Sequence, residues 1–119
     1  MAKANDDSWT AHPRWRLSRR GEIALGPGKA DLLEGIARTG SISGAARELG
    51  MSYRRAWLLV ETMNHCFRLS LVATSSFRRG GAALTDEGRE VLALYRRAEA
   101  ASLAAARAPL SALRRRLRP

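Results

Sequence analysis

Between Ser41 and Phe67 the chain carries two helical patterns separated by only three residues, Gly50-Met51-Ser52. A gap this short leaves no wandering loop, so the two segments carry the helix-turn-helix signature, a pattern that helical bundles binding nothing also show. In the first, "SISGAARELG", either Ser41 or Ser43 suits an N-cap. Ala45, Ala46 and Leu49 look buried, and Gly50 is placed for a C-cap. In the second, Ser52 is the N-cap, and Ala56, Leu59, Val60, Met63 and Phe67 form one apolar stripe. Ala45, Leu49, Met51, Ala56 and Leu59 are expected to fill the inward positions of the unit.

The flanking sequence supplies the rest of the architecture. Trp15 and Leu17 alternate with Arg14, Arg16 and Ser18, and Ile23 and Leu25 with Glu22 and Ala24, so that "SRRG" reads as a hairpin turn. "GPG" opens a first helix with Leu33, Ile36 and Ala37 on one face, closed at Thr39-Gly40. Downstream, Leu69, Leu71 and Val72 on one side and Ala83 and Leu84 on the other flank "SSFRRGG", a strand-loop-strand pattern. Thr85 then caps a long helix, with Asp86 and Glu87 favourably placed against its dipole. The expected fold is mainly α with a small β wing: a winged helix-turn-helix with an N-terminal hairpin and a long C-terminal dimerisation helix. A disordered tail is expected over 1–12, one domain over 13–108 with that helix from about 85, and a basic segment over 109–119.

The far side of the second motif helix raises the functional question. Arg54, Leu58, Glu61 and His65 share the face opposite the stripe, with Tyr53 and Trp57 on one flank and Arg55 on the other. A leucine beside two arginines suits a nucleic-acid groove better than water, since arginine pairs with guanine and apolar groups meet the thymine methyl. Trp57 has two places open to it, the edge of the core or a base. Arg78 and Arg79 at the loop tip would lie along phosphates or enter the minor groove, as a wing does; an ordinary basic hairpin loop is the other reading. Ser43 could hold a phosphate beside the free N–H groups of a helix start. With 21 Lys+Arg against 11 Asp+Glu, net +10, the chain attracts polyanions.

Other classes find little support. Cys66 is the only cysteine, which excludes an internal disulfide and a cysteine-based zinc site. His12 and His65 lack metal-ligand spacing, and the carboxylate pairs Asp6-Asp7 and Asp86-Glu87 read as a tail and a helix start. "GPGK" has the wrong spacing for a phosphate loop. No catalytic residue, cofactor or metal is expected, and the terminal "LRRRLRP" reads as a solvated basic helix end. No signal peptide or membrane span is legible, so the expected location is the cytoplasm.

"GSISGAARELGMSYRRAWLLVETMN", followed by "LV" and "LTDEGREVLALY", resembles the N-terminal DNA-binding domain of the ModE-type molybdate-responsive transcriptional regulators. These are bacterial relatives of the LysR-type winged helix, and the resemblance runs from about Leu25 to Tyr95. It implies that Ser52, Tyr53, Arg54 and Arg55 begin the recognition helix and that Trp57 is the family's tryptophan. It also implies that residues 75–82 form the wing and that the helix after Thr85 dimerises. Full-length members carry C-terminal oxyanion-binding domains whose residues are not in this sequence, so no molybdate site is expected, and the wing is poorer in glycine than the family's.

The combined expectation is a sequence-specific regulator of transcription that binds double-stranded DNA as a homodimer. Tyr53, Arg54, Arg55 and Leu58 would face the major groove, and Val91, Leu92, Tyr95 and Leu103 would join the protomers. The alternative is a non-specific architectural DNA-binding protein, or a protein-interaction module on the same winged domain.

Overall fold

A computed structural model describes residues 8–75 and 81–119. The chain runs β1 (Leu17–Arg19), β2 (Glu22–Leu25), α1 (Pro27–Thr39), α2 (Ile42–Leu49) and α3 (Tyr53–Cys66). It continues through β3 (Val72–Thr74), β4 (Ala82–Leu84), α4 (Asp86–Ala105) and α5 (Arg107–Arg114), completing a winged helix-turn-helix. β1 and β2 pair antiparallel through a turn in which Arg20 (φ 53°) and Gly21 (φ 80°) are both left-handed. Two such residues give the hairpin turn whose twist matches that of the strands. Pro27 opens α1, where its missing N–H is no loss. No helix among the described residues is long and apolar enough to cross a membrane.

The helix-turn-helix is locked by small residues and caps. Ser41, rather than Ser43, caps α2: its Oγ accepts the Gly44 N–H at 2.8 Å. Gly35 lets α1 approach α2, since a Cβ there would come 3.0 Å from that of Ala45. Gly50 (φ 69°) ends α2, and Ser52 Oγ accepts the Arg55 N–H at 3.1 Å to start α3. Leu32, Leu33, Ile36, Ile42, Ala56, Val60 and Met63 form the buried centre, with Met51, Leu59 and Phe67 packed around it. Each fully buried large side chain contributes roughly 1.5–3 kcal/mol. Two residues expected inside are exposed. Ala37 follows Ile36 by about 100° of helical turn, away from the core, and Leu49 is the last residue of α2, where the helix leaves it.

The wing is rooted in the helices. β3 and β4 pair in the register Val72↔Leu84, Ala73↔Ala83 and Thr74↔Ala82. The Ala82 N–H donates to the Gly40 carbonyl at 3.0 Å, and Ser41 bridges Gly81, so β4 runs alongside the α1–α2 junction. From α3, Asn64 Oδ1 accepts the N–H groups of Leu71 (2.8 Å) and Val72 (3.1 Å), while its Nδ2 donates to the Val72 carbonyl at 3.0 Å. Leu71 is fully buried, whereas Leu69, expected in the strand, is exposed and precedes it. Thr85 caps α4 by accepting the Gly88 N–H, and its hydroxyl donates to the Ser70 carbonyl at 2.7 Å.

The C-terminal helices depart most from expectation. α4 stops at Ala105, and Pro109 lies in the first turn of a separate α5 rather than at a helix end, so a boundary at 109 falls inside α5. Val91 and Tyr95, expected to join protomers, are buried in the chain's own core, and Leu92 packs against it; Leu103 is exposed. The Tyr95 hydroxyl donates to the Trp15 carbonyl at 2.9 Å, and Trp15 Nε1 donates to Ser102 Oγ at 2.7 Å. Burial raises the Tyr95 phenol pKa above its ordinary value. Arg96 pairs with Asp31, Glu34 and Glu99, binding α4 to α1. Partial burial opposes its charge, but the three carboxylates outweigh that and raise its pKa. Of the expected disordered tail, residues 1–7 lie outside the described residues. The stretch 8–12 has a place, with Trp9 under the Arg114 guanidinium at 5.3 Å.

Candidate nucleic-acid interface

The first turns of α3 form the centre of the candidate surface. Ala56, Val60 and Met63 are buried, and this fixes the rotation of the helix about its axis. The opposite side then carries Arg54, Leu58, Glu61 and His65, all exposed. Tyr53 is 49% exposed, Trp57 41% and Leu58 46%, large apolar surfaces for a helix that already has a core to pack against. Trp57 is thus partly covered and partly open on this flank. Among the described residues, Arg54 and Arg55 make no ion pair and no side-chain hydrogen bond. Their charge is uncommitted. α3 has no acidic residue in its first turn, so its dipole adds to this positive end.

Ser52 acts through its backbone geometry: its hydroxyl is used as the α3 cap and holds Tyr53, Arg54 and Arg55 at the helix start. Ser43 sits half-buried in the first turn of α2, beside the cap formed by Ser41. Gly44 has no room for a side chain, because a Cβ would come 2.8 Å from Ser41 Oγ and 3.0 Å from Thr39. The start of α2 is thus tightly built. Behind it, Arg38 on α1 donates to Glu48 on α2 at 2.5 Å. That hydrogen bond holds the Glu48 carboxyl below its ordinary pKa.

Arg78 and Arg79, expected at the wing tip, lie outside the described residues. The root that would carry them is well defined, from Ser75, whose N–H donates to the Gly81 carbonyl at 2.9 Å, to the β4 bond with Gly40. Asn64 is the positioning residue that sequence patterning missed. It lies on the flank of the apolar stripe, where helical periodicity has no expectation for a polar side chain. It nonetheless fixes β3 to α3. The "LT" and glycine of "LTDEG" have a similar explanation: Leu84 is buried, Thr85 caps, and Gly88 lies so close to the Leu71 carbonyl that no Cβ fits.

Comparison with known proteins places this geometry in context. Residues 29–89, just over half of the chain, match the family described as bacterial regulatory helix-turn-helix protein, lysR family. The chain is 46% identical over 79 residues to the molybdenum-pterin-binding protein MopA of Rhodobacter capsulatus, covering 65% of this chain and 30% of MopA. It is 42% identical over 78 residues to the molybdenum transport protein ModE of Azotobacter vinelandii, covering 64% and 29%. It is 41% identical over 81 residues to the DNA-binding transcriptional dual regulator ModE of Escherichia coli, covering 66% and 31%. The chain therefore spans about a third of the length of these relatives.

Proposed function

The chain belongs to the lysR family of bacterial regulatory helix-turn-helix proteins, with a helix-turn-helix of the ModE type, and from that premise we propose that it regulates transcription by binding duplex DNA sequence-specifically as a homodimer. The observation that carries the proposal is the start of α3. Tyr53, Arg54, Arg55, Trp57 and Leu58 are exposed on a helix whose other side is fixed in the core. In the groove, Arg54 reaches guanine O6 and N7, Leu58 meets a thymine methyl, and Tyr53 and Arg55 lie toward the flanking backbone. The indole of Trp57 lies against the same duplex wall. Ser43 and the wing arginines Arg78 and Arg79 take phosphates on either side. The molybdenum and pterin named for the relatives belong to those proteins, and the proposal rests on the helix-turn-helix alone.

Pairing is supported by surface that the monomer leaves uncovered. Trp15, Leu17 and Leu94 are 49%, 47% and 48% exposed and border an apolar groove of about 420 Å³ floored by Leu25, Phe67, Val91, Tyr95 and Ala98. The partner contact then falls to Leu94 with Trp15 and Leu17, in place of the buried Val91 and Tyr95, while Leu92 and Leu103 lie on the other side of α4. Two recognition helices in such a dimer read half-sites about 34–36 Å apart, or a multiple of that.

The test is selection of bound duplexes from a random pool, followed by titration of wild type, Arg54→Ala and Arg78→Ala against the selected site and random duplex. Arg54→Ala should cost about 1–3 kcal/mol on the selected site and much less on random sequence. Equal weakening of both duplexes by both variants would move the chain to the architectural class. No effect of either on DNA affinity would favour a protein partner.

A further inference from the structure

The fold brings a cluster of arginines to the C-terminal end of α3. β2 packs against α3, which sets the β1–β2 turn beside the C-terminal end of that helix. Arg19 at the end of β1, Arg20 in the turn, His65 at the end of α3 and Arg68 just beyond it line two adjoining hollows of about 900 and 280 Å³. All four side chains are exposed. Among the described residues, Arg19, Arg20 and Arg68 make no ion pair and no side-chain hydrogen bond. Two carboxylates also line these hollows. Glu22 accepts the Cys66 thiol at 3.4 Å, and Glu87 sits in the first turn of α4, where its charge meets the helix dipole. The cluster stays net positive.

Two further observations point outward to a polyanion. His65 is on the same exposed face as Arg54, and the rise between them is about 16 Å at about 1.5 Å per residue. That exceeds the roughly 12 Å width of the major groove. A helix with Arg54 at the bases therefore brings its other end to the phosphate wall across the groove. In addition, Arg20 occupies a left-handed turn position (φ 53°) where asparagine or glycine would be less strained. The backbone strain is tolerated where a long cation projects from the tip.

We propose that the N-terminal hairpin is a second backbone clamp, in which Arg19, Arg20 and Arg68 bind duplex phosphates at the C-terminal end of α3. This rests on the duplex reading given above and extends it to a region outside the helix-turn-helix. The clamp adds affinity and fixes register without reading sequence.

The test uses the full chain as Arg19→Ala/Arg20→Asn/Arg68→Ala, with Arg20→Asn alone as a partner variant. Asparagine suits the turn, so the melting temperature of the single variant should not fall. Dissociation constants for the selected and a random duplex are measured across a salt series. Each lost phosphate contact lowers the salt slope by about 0.9, so the triple variant should lose about 2–3 from the slope and weaken on both duplexes alike, and the single variant should lose about 0.9. An unchanged slope in a protein that still binds duplex overturns the clamp and leaves the function standing. Weakening confined to the selected site also overturns it, because phosphate contacts do not discriminate. A wild-type chain with no duplex affinity overturns the function itself.

Discussion

Replacing Gly88 with alanine should unseat α4 from the wing, although alanine is the better helix former. A methyl carbon at residue 88 would overlap the Leu71 carbonyl oxygen and come within 3.0 Å of its carbonyl carbon. Both are backbone atoms, and they are held. The Leu71 carbonyl accepts the Thr85 N–H at 2.9 Å, the Leu71 N–H is bound by Asn64, and the side chain is fully buried. Forcing a methylene-sized group into a packed site costs about 1–3 kcal/mol. If the helix start shifts instead, the Thr85 cap is lost at about 1 kcal/mol. The Thr85 bonds to Leu71 and Ser70 go with it, at about 1 kcal/mol each. The helix propensity of alanine returns roughly 0.5–1 kcal/mol. The net destabilisation is about 2–2.5 kcal/mol, a large share of the roughly 5–15 kcal/mol of a natural domain. At about 4 °C per kcal/mol this lowers the melting temperature by roughly 8–10 °C. Gly28→Ala is the internal control: nothing lies within 4 Å of a Cβ there, so it should stabilise by about 0.5 kcal/mol. Thermal and urea denaturation of both variants measure the difference. A Gly88→Ala protein that melts with or above wild type would refute the steric argument.

Asn64→Ala removes all three bonds from α3 to the first wing strand and should cost about 2–4 kcal/mol in urea denaturation, with the amides of Leu71 and Val72 losing hydrogen-exchange protection. Leu94→Glu places a charge on the exposed apolar groove of each protomer. By the symmetry of a dimer the loss counts twice, about 3–6 kcal/mol, and light scattering should then report a monomer at concentrations where wild type is paired. Glu48 is held below its ordinary pKa by Arg38, so the pair stabilises the fold above the unfolded-state pKa of glutamate. That contribution is lost as pH falls through the lower folded value, and Glu48→Gln should flatten this acid limb of melting temperature against pH.

What was legible in the sequence is what local chemistry determines. Ser52, Thr85 and Gly50 were identifiable because capping depends on a few neighbouring residues, and the structure has each in that role. The outward direction of Arg54 and Leu58 followed from the stripe opposite them. What the sequence alone leaves open depends on tertiary partners. Helical periodicity marks Val91 and Tyr95 as apolar but cannot tell the chain's own core from another protomer's surface, and here the core takes both. Pro109 looked like a helix stop because a proline ends one helix as readily as it begins the next. Trp57 stayed open until the rotation of α3 was fixed, and that rotation leaves it partly covered on the flank.

The bond from the Tyr95 hydroxyl to the Trp15 carbonyl joins residues 80 positions apart. On a ribosome adding about 5–20 residues per second, the hairpin emerges roughly 4–16 s before the helix that anchors it. During that interval Trp15 and Leu17 have no α4 to lie beside, and the strand edges are open to other nascent chains. The hairpin can dock on α1 and α3 as they emerge, but its bond to α4 closes last, so these seconds are when its apolar face is most exposed to aggregation.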